Sequence, residues 1–228
     1  SMQWFGSNDQ NHPGVKKFYK KGKYVIGGEL IKVEKSSQNF SQYQLTPKQT
    51  RMIFNIKGWS RIVGFHTRNI PHRAHEYIMN KALQRVNADG LFIQPVIGSK
   101  KKGDFDSHAI LKAYDLLIET KLPGAILSAC STYSRYSGPR KAVFTALCRK
   151  NYGCTHFIIG RDHTGVADFY KGENIVELFE TLGDIGIDII FFNKGKIVEV
   201  KDKNELKNIE NISGTFVRNA LRKNIKIP

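Results

Sequence analysis

The chain has 228 residues, of which 40% are apolar and 25% are charged, so it is long enough to bury a core and too hydrophobic to be disordered. It contains no apolar run of the roughly 18 residues that a membrane-spanning helix needs, and residues 1–10 lack the pattern of a signal peptide, so we expect a cytoplasmic location. The net charge of +16 fits attraction to nucleotides, sulfate or phosphate, but solvated lysines explain it more simply than a nucleic-acid surface does.

Residues 1–45 show little apolar periodicity. Their local signals are a turn at His12-Pro13-Gly14, a short apolar strand at Tyr24 to Ile26, and the Gly27-Gly28 pair. So irregular a segment would make a poor domain by itself. We expect it to be the tail of an N-terminal domain and a linker, followed by a main domain over residues 46–228.

From Thr46 onward, amphipathic helices alternate with short apolar strands. Thr46 is placed to cap a helix that starts at Pro47 and ends before Gly58. Further helices are predicted near residues 71–86, 107–119, 139–151 and 176–182, and from 213. Strands are predicted at residues 62–65, 91–96, 125–129, 156–159 and 187–192, with a hairpin into 197–200. This alternation predicts an α/β protein with a parallel sheet covered on both faces, whose ligands bind at the carboxyl ends of the strands.

The stretch from Gly64 to His75 carries the most chemistry. His72 and His75 are three residues apart, so on a helix they share one face, near first-turn N–H groups that lack partners. Arg68 and Asn69 add a planar cation and an amide donor in the preceding turn, which predicts an anion site of the kind that holds phosphates. The spacing also suits zinc, but no Glu lies between the histidines and no third ligand is evident. The three cysteines, Cys130, Cys148 and Cys154, lack zinc-site spacing, so we predict no bound metal.

Three more polar loops follow predicted strands or open predicted helices. Arg135-Tyr136-Ser137-Gly138-Pro139-Arg140 and Gly160-Arg161-Asp162-His163-Thr164-Gly165 each come after a strand, and Ser213-Gly214-Thr215 leads to Arg218 at a helix start. Each could be a phosphate cradle. Each also has a purely structural explanation: a capped turn, an Arg–Asp ion pair in a tight turn, and a well-capped helix.

Taken together in this order, these motifs resemble the ATP sulfurylase, or sulfate adenylyltransferase, family. The resemblance begins at His12-Pro13-Gly14-Val15 and extends to Ile212-Ser213-Gly214-Thr215. It implies a Rossmann-like α/β/α parallel-sheet domain of the HxGH nucleotidyltransferase type, usually preceded by a PUA-like domain, of which residues 1–45 would be the tail. The implied reaction is direct in-line attack of sulfate on the α-phosphorus of MgATP, giving adenylyl sulfate and pyrophosphate.

The resemblance also implies roles for residues at the matching positions. Arg68 would hold sulfate, and the Mg²⁺ would arrive with ATP. The catalytic residues implied are Arg68, Asn69, His72, His75 and Arg161. The residues implied at the sulfate or other oxyanion are His66, Arg68 and Thr164. The nucleotide-binding residues implied are Phe65, Asn69, His72, His75, Gly160, Arg161, Asp162, His163, Ser213, Thr215 and Arg218. We expect the protein to be a cytoplasmic transferase of sulfate assimilation. We also expect it to form a homo-oligomer.

The acceptor end of the site departs from the family pattern. The family usually has Gln where this chain has His66, and a small residue where it has Thr164; its Asn-Pro-x-His also becomes Asn69-Ile70-Pro71-His72. Nucleotidyl transfer to another oxyanion, or from another nucleotide, is therefore an alternative function. A nucleotide-binding module that has lost turnover is a third possibility, which the charge and the short N-terminal segment would fit.

Overall fold

A five-stranded parallel β-sheet lies at the centre of the computed structural model, which describes residues 2–22, 24–31, 40–98, 103–132, 136–160, 170, 175–192 and 214–225. The strands are β1 (Ile62–Thr67), β2 (Gly90–Pro95), β3 (Ile126–Leu127), β4 (His156–Ile159) and β5 (Asp188–Phe191). They lie side by side in the order β3-β2-β1-β4-β5, and every neighbouring pair is parallel. The predicted parallel α/β sheet is confirmed.

Helices precede, connect and follow these strands. They are α1 (Met2–Phe5), α2 (Pro13–Tyr19), α3 (Pro47–Ile56), α4 (Arg73–Arg85), α5 (Ser107–Lys121), α6 (Gly138–Asn151), α7 (Ile175–Leu182) and α8 (Gly214–Arg222). Of these, α3 to α8 lie where helices are predicted, whereas α1 and α2 are not predicted. Thr46 caps α3 as expected: its side chain accepts from the Gln49 N–H, and the Gln49 side chain accepts from the Thr46 N–H in return. None of the helices in the described ranges is long and apolar enough to cross a membrane.

The two faces of the sheet bury separate cores, because alternate residues of a strand point in opposite directions. On one face Val63 and Phe65 of β1 pack with Met79 of α4 and Tyr114 of α5. On the other face lie Ile62, Phe92 and Phe157, packed with Ala142 and Ala146 of α6 and with Phe179 of α7. Helices therefore cover both faces, which gives the three-layer α/β/α arrangement.

Two predicted strands differ from the structure. The strand predicted at Tyr24 to Ile26 is wrong, since these residues lie outside any strand and are 93 to 101% exposed. Three apolar residues do not make a strand where no neighbouring strand accepts them, and none does among the described residues. The strand predicted at 125–129 shortens to β3 at the edge of the sheet, although the pairing resumes as an isolated bridge between Val96 and Cys130. The hairpin predicted at 193–200 lies outside the described residues.

The N-terminal helices are attached to the main domain through a buried histidine. His12, predicted to lie in a turn, is the N-cap of α2, and its Nδ1 accepts from the Gly14 N–H at 3.1 Å. An accepting Nδ1 leaves the proton on Nε2, which donates to the Tyr170 hydroxyl at 3.0 Å. That hydroxyl lies 2.8 Å from the carbonyl oxygen of Phe5 and 3.1 Å from that of Tyr136. Residues 2–19 thus dock against the main domain.

Candidate active site

The candidate active site lies where the connections of the sheet diverge. From β1 the chain moves outward through β2 to β3, and it then returns to β4 on the other side of β1. Adjacent strands whose connections run in opposite directions leave a crevice beyond their carboxyl ends, and this crevice is the usual ligand site of open parallel sheets. The carboxyl end of β1 leads into Arg68 and Asn69, and that of β4 leads into Gly160.

The turn after β1 is short and locally bonded. Phe65 is buried in the strand, whereas His66, Thr67, Arg68 and Asn69, at and beyond its carboxyl end, are half-buried. The Asn69 N–H donates to the Thr67 hydroxyl at 3.2 Å, which turns the chain away from the strand. The structure therefore places the predicted Arg68 and Asn69 at the carboxyl end of β1, the central strand of the sheet.

His72 and His75 meet at the start of α4. The helix starts at Arg73, two residues later than predicted, and His72 is its N-cap with extended backbone angles, φ −148° and ψ 170°. The His72 carbonyl accepts from the N–H groups of His75 at 2.8 Å and Glu76 at 3.1 Å. The two imidazole rings stack with centroids 3.7 Å apart, and the ring of Phe65 packs edge-on against His75 at 5.3 Å. The predicted proximity of the two histidines is confirmed.

The environment of His75 favours its neutral form. Although the residue is half-buried as a whole, its Nδ1 atom is shielded from solvent. Desolvation lowers the pKa of His75 well below its usual value, the neighbouring His72 lowers it further, and the Ile70 carbonyl acts in the opposite direction. A neutral imidazole at the positive end of the α4 dipole can donate one hydrogen bond to an anion without having to bury a permanent charge.

The last described helix contributes a cation to the same turn. Arg218 of α8 donates from Nη1 to the Asn69 side-chain oxygen at 3.0 Å, and its guanidinium lies 5.7 Å from the centre of the Phe105 ring. Because its oxygen accepts from Arg218, the Asn69 side chain has its amide nitrogen left to donate to a ligand. The structure thus joins the predicted motif of α8 to the turn after β1, across 149 positions of sequence.

A buried arginine for which the sequence predicted no role lies behind His66. Arg149 of α6 is only 2% exposed, and its Nη1 lies 2.6 Å from the His66 Nδ1. The same Nδ1 is 3.0 Å from the carbonyl oxygen of Gln94, and Arg149 Nη2 is 3.8 Å from the Cys130 sulfur. One signal could have found it: Arg149 continues the buried stripe of Ala142 and Ala146 along α6.

The remaining predicted site residues divide into three groups. Gly160 is half-buried at the end of β4, and Thr215 lies in the first turn of α8. The side chain of Arg140, in the first turn of α6, is exposed to solvent. The following lie outside the described residues: Arg135, Arg161, Asp162, His163, Thr164 and Ser213. Within the described ranges, no three His, Cys, Asp or Glu side chains are grouped closely enough to hold a metal ion.

Comparison with known proteins gives one family. The family model described as ATP-sulfurylase matches residues 41–228. A sulfate adenylyltransferase of Pyrococcus abyssi is 41% identical over 238 residues, an alignment that covers 100% of this chain and 62% of the relative. A sulfate adenylyltransferase of Thermococcus onnurineus is 46% identical over 192 residues, covering 83% of this chain and 50% of the relative. The chain therefore spans about half to three-fifths of the length of these relatives.

Among solved structures, the chain is similar to one titled hexameric APS kinase from Thiobacillus denitrificans. The TM-score is 0.54 and the identity 21%, and the alignment covers 70% of this chain and 29% of the other. A likeness at this identity shows that the two share an α/β fold.

Proposed function

Because the chain belongs to the ATP-sulfurylase family, whose model matches residues 41–228, we propose that it transfers the adenylyl group of MgATP to sulfate. A sulfate oxygen attacks the α-phosphorus, the bond from that phosphorus to the bridging oxygen of the β-phosphate breaks, and pyrophosphate leaves. The products are adenylyl sulfate and pyrophosphate, with no covalent intermediate on the protein. The observation that supports this proposal is a pair of contacts after β1: the stack of His72 on His75, and the hydrogen bond from Arg218 to Asn69.

The start of α4 is the proposed phosphate site. The His72 and His75 imidazoles and the first N–H groups of the helix would donate to the oxygens of the ATP phosphates, where negative charge builds up during in-line displacement. Such transfers depend on positioning and on electrostatic stabilisation more than on covalent chemistry by the protein. The stacking of the two rings supports this role, because it holds both imidazoles in one orientation before the substrate binds.

The rest of the nucleotide would lie between the ends of β4 and α8. Asn69 and Arg218 are hydrogen-bonded to each other, so a phosphate oxygen that meets the Asn69 amide also lies near the Arg218 guanidinium. We assign the nucleotide further contacts with Phe65, Gly160, Arg161, Asp162, His163, Ser213 and Thr215 by their match to the family motifs. As a catalytic residue, Arg161 would also stabilise the negative charge that develops on the phosphates during the transfer.

The acceptor is proposed to bind beside β1. Arg68, directly after the strand, and His66, its last but one residue, would donate to the sulfate oxygens, with Thr164 completing the site. Arg68 presents a fork of N–H donors whose geometry suits a tetrahedral oxyanion. The Mg²⁺ would enter and leave with ATP and pyrophosphate.

We propose a division of the chain into a catalytic domain over 46–228 and the tail of a PUA-like domain with a linker over 1–45. Tyr24, Val25 and Ile26 are almost completely exposed, so they do not pack on the catalytic domain. Consecutive exposed apolar side chains often mark a surface that another domain covers, which supports the assignment of this segment to a second domain and its linker. We also propose that the protein is cytoplasmic and forms a homo-oligomer. Light scattering on the purified protein tests the oligomeric state.

The proposed function is tested by pyrophosphate release from MgATP, with inorganic pyrophosphatase present to remove the product. Sulfate, selenate, molybdate, phosphate and a phosphonate are compared as acceptors, and CTP is compared with ATP. Sulfate-dependent release with formation of adenylyl sulfate supports the proposal. Release only with another acceptor or nucleotide indicates a different nucleotidyltransferase. Tight binding of adenylyl sulfate without any release indicates a binding module.

A further inference from the structure

Arg149 carries a buried charge that no carboxylate in the described part of the chain neutralises. Its side chain packs against β1 at Gly64: a Cβ added at Gly64 would lie 3.3 Å from the Arg149 Cγ. Its hydrogen-bonding partners are the His66 Nδ1 at 2.6 Å and the Cys130 sulfur at 3.8 Å, and its Nε has no partner among the described residues. Because a buried cation is costly without a strong acceptor, the contact with His66 is the main interaction that stabilises this guanidinium.

This contact determines which nitrogen of His66 carries the proton. A guanidinium donates only and stays protonated in proteins, so the Arg149 Nη1 can bond to the His66 Nδ1 only if that nitrogen offers its lone pair. A neutral imidazole with an accepting Nδ1 carries its hydrogen on Nε2. The heavy-atom positions therefore assign the Nε2–H tautomer to His66.

A hydrogen bond to the carbonyl oxygen of Gln94 would favour the opposite tautomer of His66, with the proton on Nδ1. That oxygen lies 3.0 Å from the same Nδ1 and would accept a hydrogen from it. However, Gln94 lies within the β1–β2 ladder, paired in register with His66, where main-chain carbonyls accept from the neighbouring strand. The Gln94 carbonyl can therefore be satisfied without His66, whereas the Arg149 guanidinium would lose its main acceptor. The shorter distance and the charge both favour donation from Arg149.

We infer that Arg149 is a positioning residue that keeps His66 as an Nε2–H donor, so that the acceptor pocket selects tetrahedral oxyanions that carry no proton. This inference rests on the proposed function, because it assigns His66 to the acceptor. Donation from Arg149 also polarises the imidazole and strengthens Nε2–H as a donor. The Arg149 side chain is almost fully buried, so it acts on the anion through His66.

The tautomer separates sulfate from hydrogen phosphate by hydrogen-bond chemistry. Sulfate and selenate carry no proton near neutral pH, so all their oxygens accept from Arg68 and from the His66 Nε2–H. Hydrogen phosphate carries a hydroxyl donor, which would face a second donor at His66 or leave a hydrogen bond unmade. With the proton on Nδ1 instead, Nε2 would accept from that hydroxyl, and the discrimination would fall.

The direct test is the ¹⁵N NMR spectrum of histidine-labelled protein, in which protonated and unprotonated ring nitrogens have separate shifts. The His66 signals are assigned by their loss in His66→Gln. We expect a protonated Nε2 and an unprotonated Nδ1 in the unmodified protein, and a shift of the proton to Nδ1 in Arg149→Met. Arg149→Lys, which keeps a cationic donor, should retain much of the original tautomer. A proton on Nδ1 in the unmodified protein would overturn the inference, and this result does not require either Arg149 variant to fold.

Acceptor selectivity gives a second readout, as pyrophosphate release with sulfate relative to release with phosphate, where attack by phosphate yields ADP. Arg149→Met should lower this ratio by roughly 10- to 100-fold, as expected for one mismatched hydrogen bond to a charged ligand. The matched control is Arg51→Met, because exposed Arg51 also binds the end of α6, donating to the Asn151 carbonyl at 3.0 Å, but does not contact His66. An unchanged ratio in a folded Arg149→Met protein would contradict the inference.

The two proposals fail in distinguishable ways. If the Nε2–H tautomer is found but no acceptor supports turnover, the proposed function fails and the assignment of the tautomer stands. If sulfate supports turnover but the His66 proton lies on Nδ1, the function stands and the role of Arg149 is wrong.

Discussion

The imidazole rings of His72 and His75 stack face to face at the start of α4, with centroids 3.7 Å apart and planes inclined by 22°. Two imidazolium rings this close would repel each other, so protonation of one disfavours protonation of the other. Burial and this repulsion together lower the pKa of His75 well below its usual value, so the His75 ring is a neutral donor near neutral pH. A neutral donor suits a phosphate group because it adds no buried charge of its own.

His72→Ala should reduce the rate of pyrophosphate release by roughly 10²- to 10³-fold, because it removes one donor to the transferring phosphates. The fold should survive, since His72 forms no side-chain cap hydrogen bond at α4. The measurement is steady-state release with sulfate, together with circular dichroism of the variant. His108→Gln, which changes an exposed histidine at the start of α5, is the matched control. If the His72→Ala rate is close to that of the control, His72 does not contribute to the active site.

Stability should fall in acid because of His75. Its pKa in the folded protein lies well below the usual 6.5, so the unfolded chain binds the extra proton first. The stabilising contribution is present above pH 6.5 and is lost as the pH falls below that value, with a slope of at most about 1.4 kcal/mol per pH unit for one group.

Urea unfolding between pH 5 and pH 8 measures this slope. Burial also lowers the pKa of His12, which adds a slope of the same sign, so the comparison that isolates His75 is with His75→Phe. A phenylalanine there can pack against Phe65 and cannot bind a proton. Equal slopes in the two proteins would show that His75 is not the group responsible.

Arg218→Met should weaken the binding of ATP by roughly 10-fold or more, because it removes a charged donor that also orients the Asn69 amide. The expected kinetic pattern is a higher KM for ATP with a smaller change in KM for sulfate. Arg222→Met, one turn further along α8 and exposed, serves as the control. If both variants raise the KM for ATP alike, the effect is one of general surface charge and not of the contact with Asn69.

Tyr170→Phe should destabilise the protein by roughly 1–3 kcal/mol and loosen the N-terminal helices. The hydroxyl that it deletes satisfies the buried His12 and lies within hydrogen-bonding distance of the Phe5 carbonyl, so the substitution leaves these polar groups buried without a partner. Thermal unfolding measures the first effect, and limited proteolysis within residues 2–22 measures the second. Tyr19→Phe, at a tyrosine that is 53% exposed, should change neither. Unaltered proteolysis of Tyr170→Phe would mean that the docking of α1 and α2 does not depend on this hydroxyl.

The turn from β1 into α4 could be predicted from sequence because its determinants are local. An apolar strand, a turn containing Pro71 and a helical repeat of apolar residues define it, and the error in the start of α4 is two residues. The wrong strand at Tyr24 to Ile26 shows the limit of the same reasoning, because a strand needs a neighbour that local sequence does not reveal.

The partner of His66 could not be predicted, because Arg149 is 83 positions away in sequence and reaches it only once α6 has packed on the sheet. In sequence, Arg149 stands beside Lys150 and resembles an ordinary basic residue near a helix end. Its burial depends on the register of α6 against Gly64, where the absence of a side chain leaves room for the arginine stem.

The most direct test of the proposed activity is pyrophosphate release from MgATP by the unmodified protein, with sulfate as the only variable and pyrophosphatase present. The proposed chemistry predicts release that depends on sulfate, with adenylyl sulfate formed in equal amount, and loss of both in His72→Ala. Release that is the same without sulfate, or that requires a different acceptor, would contradict it.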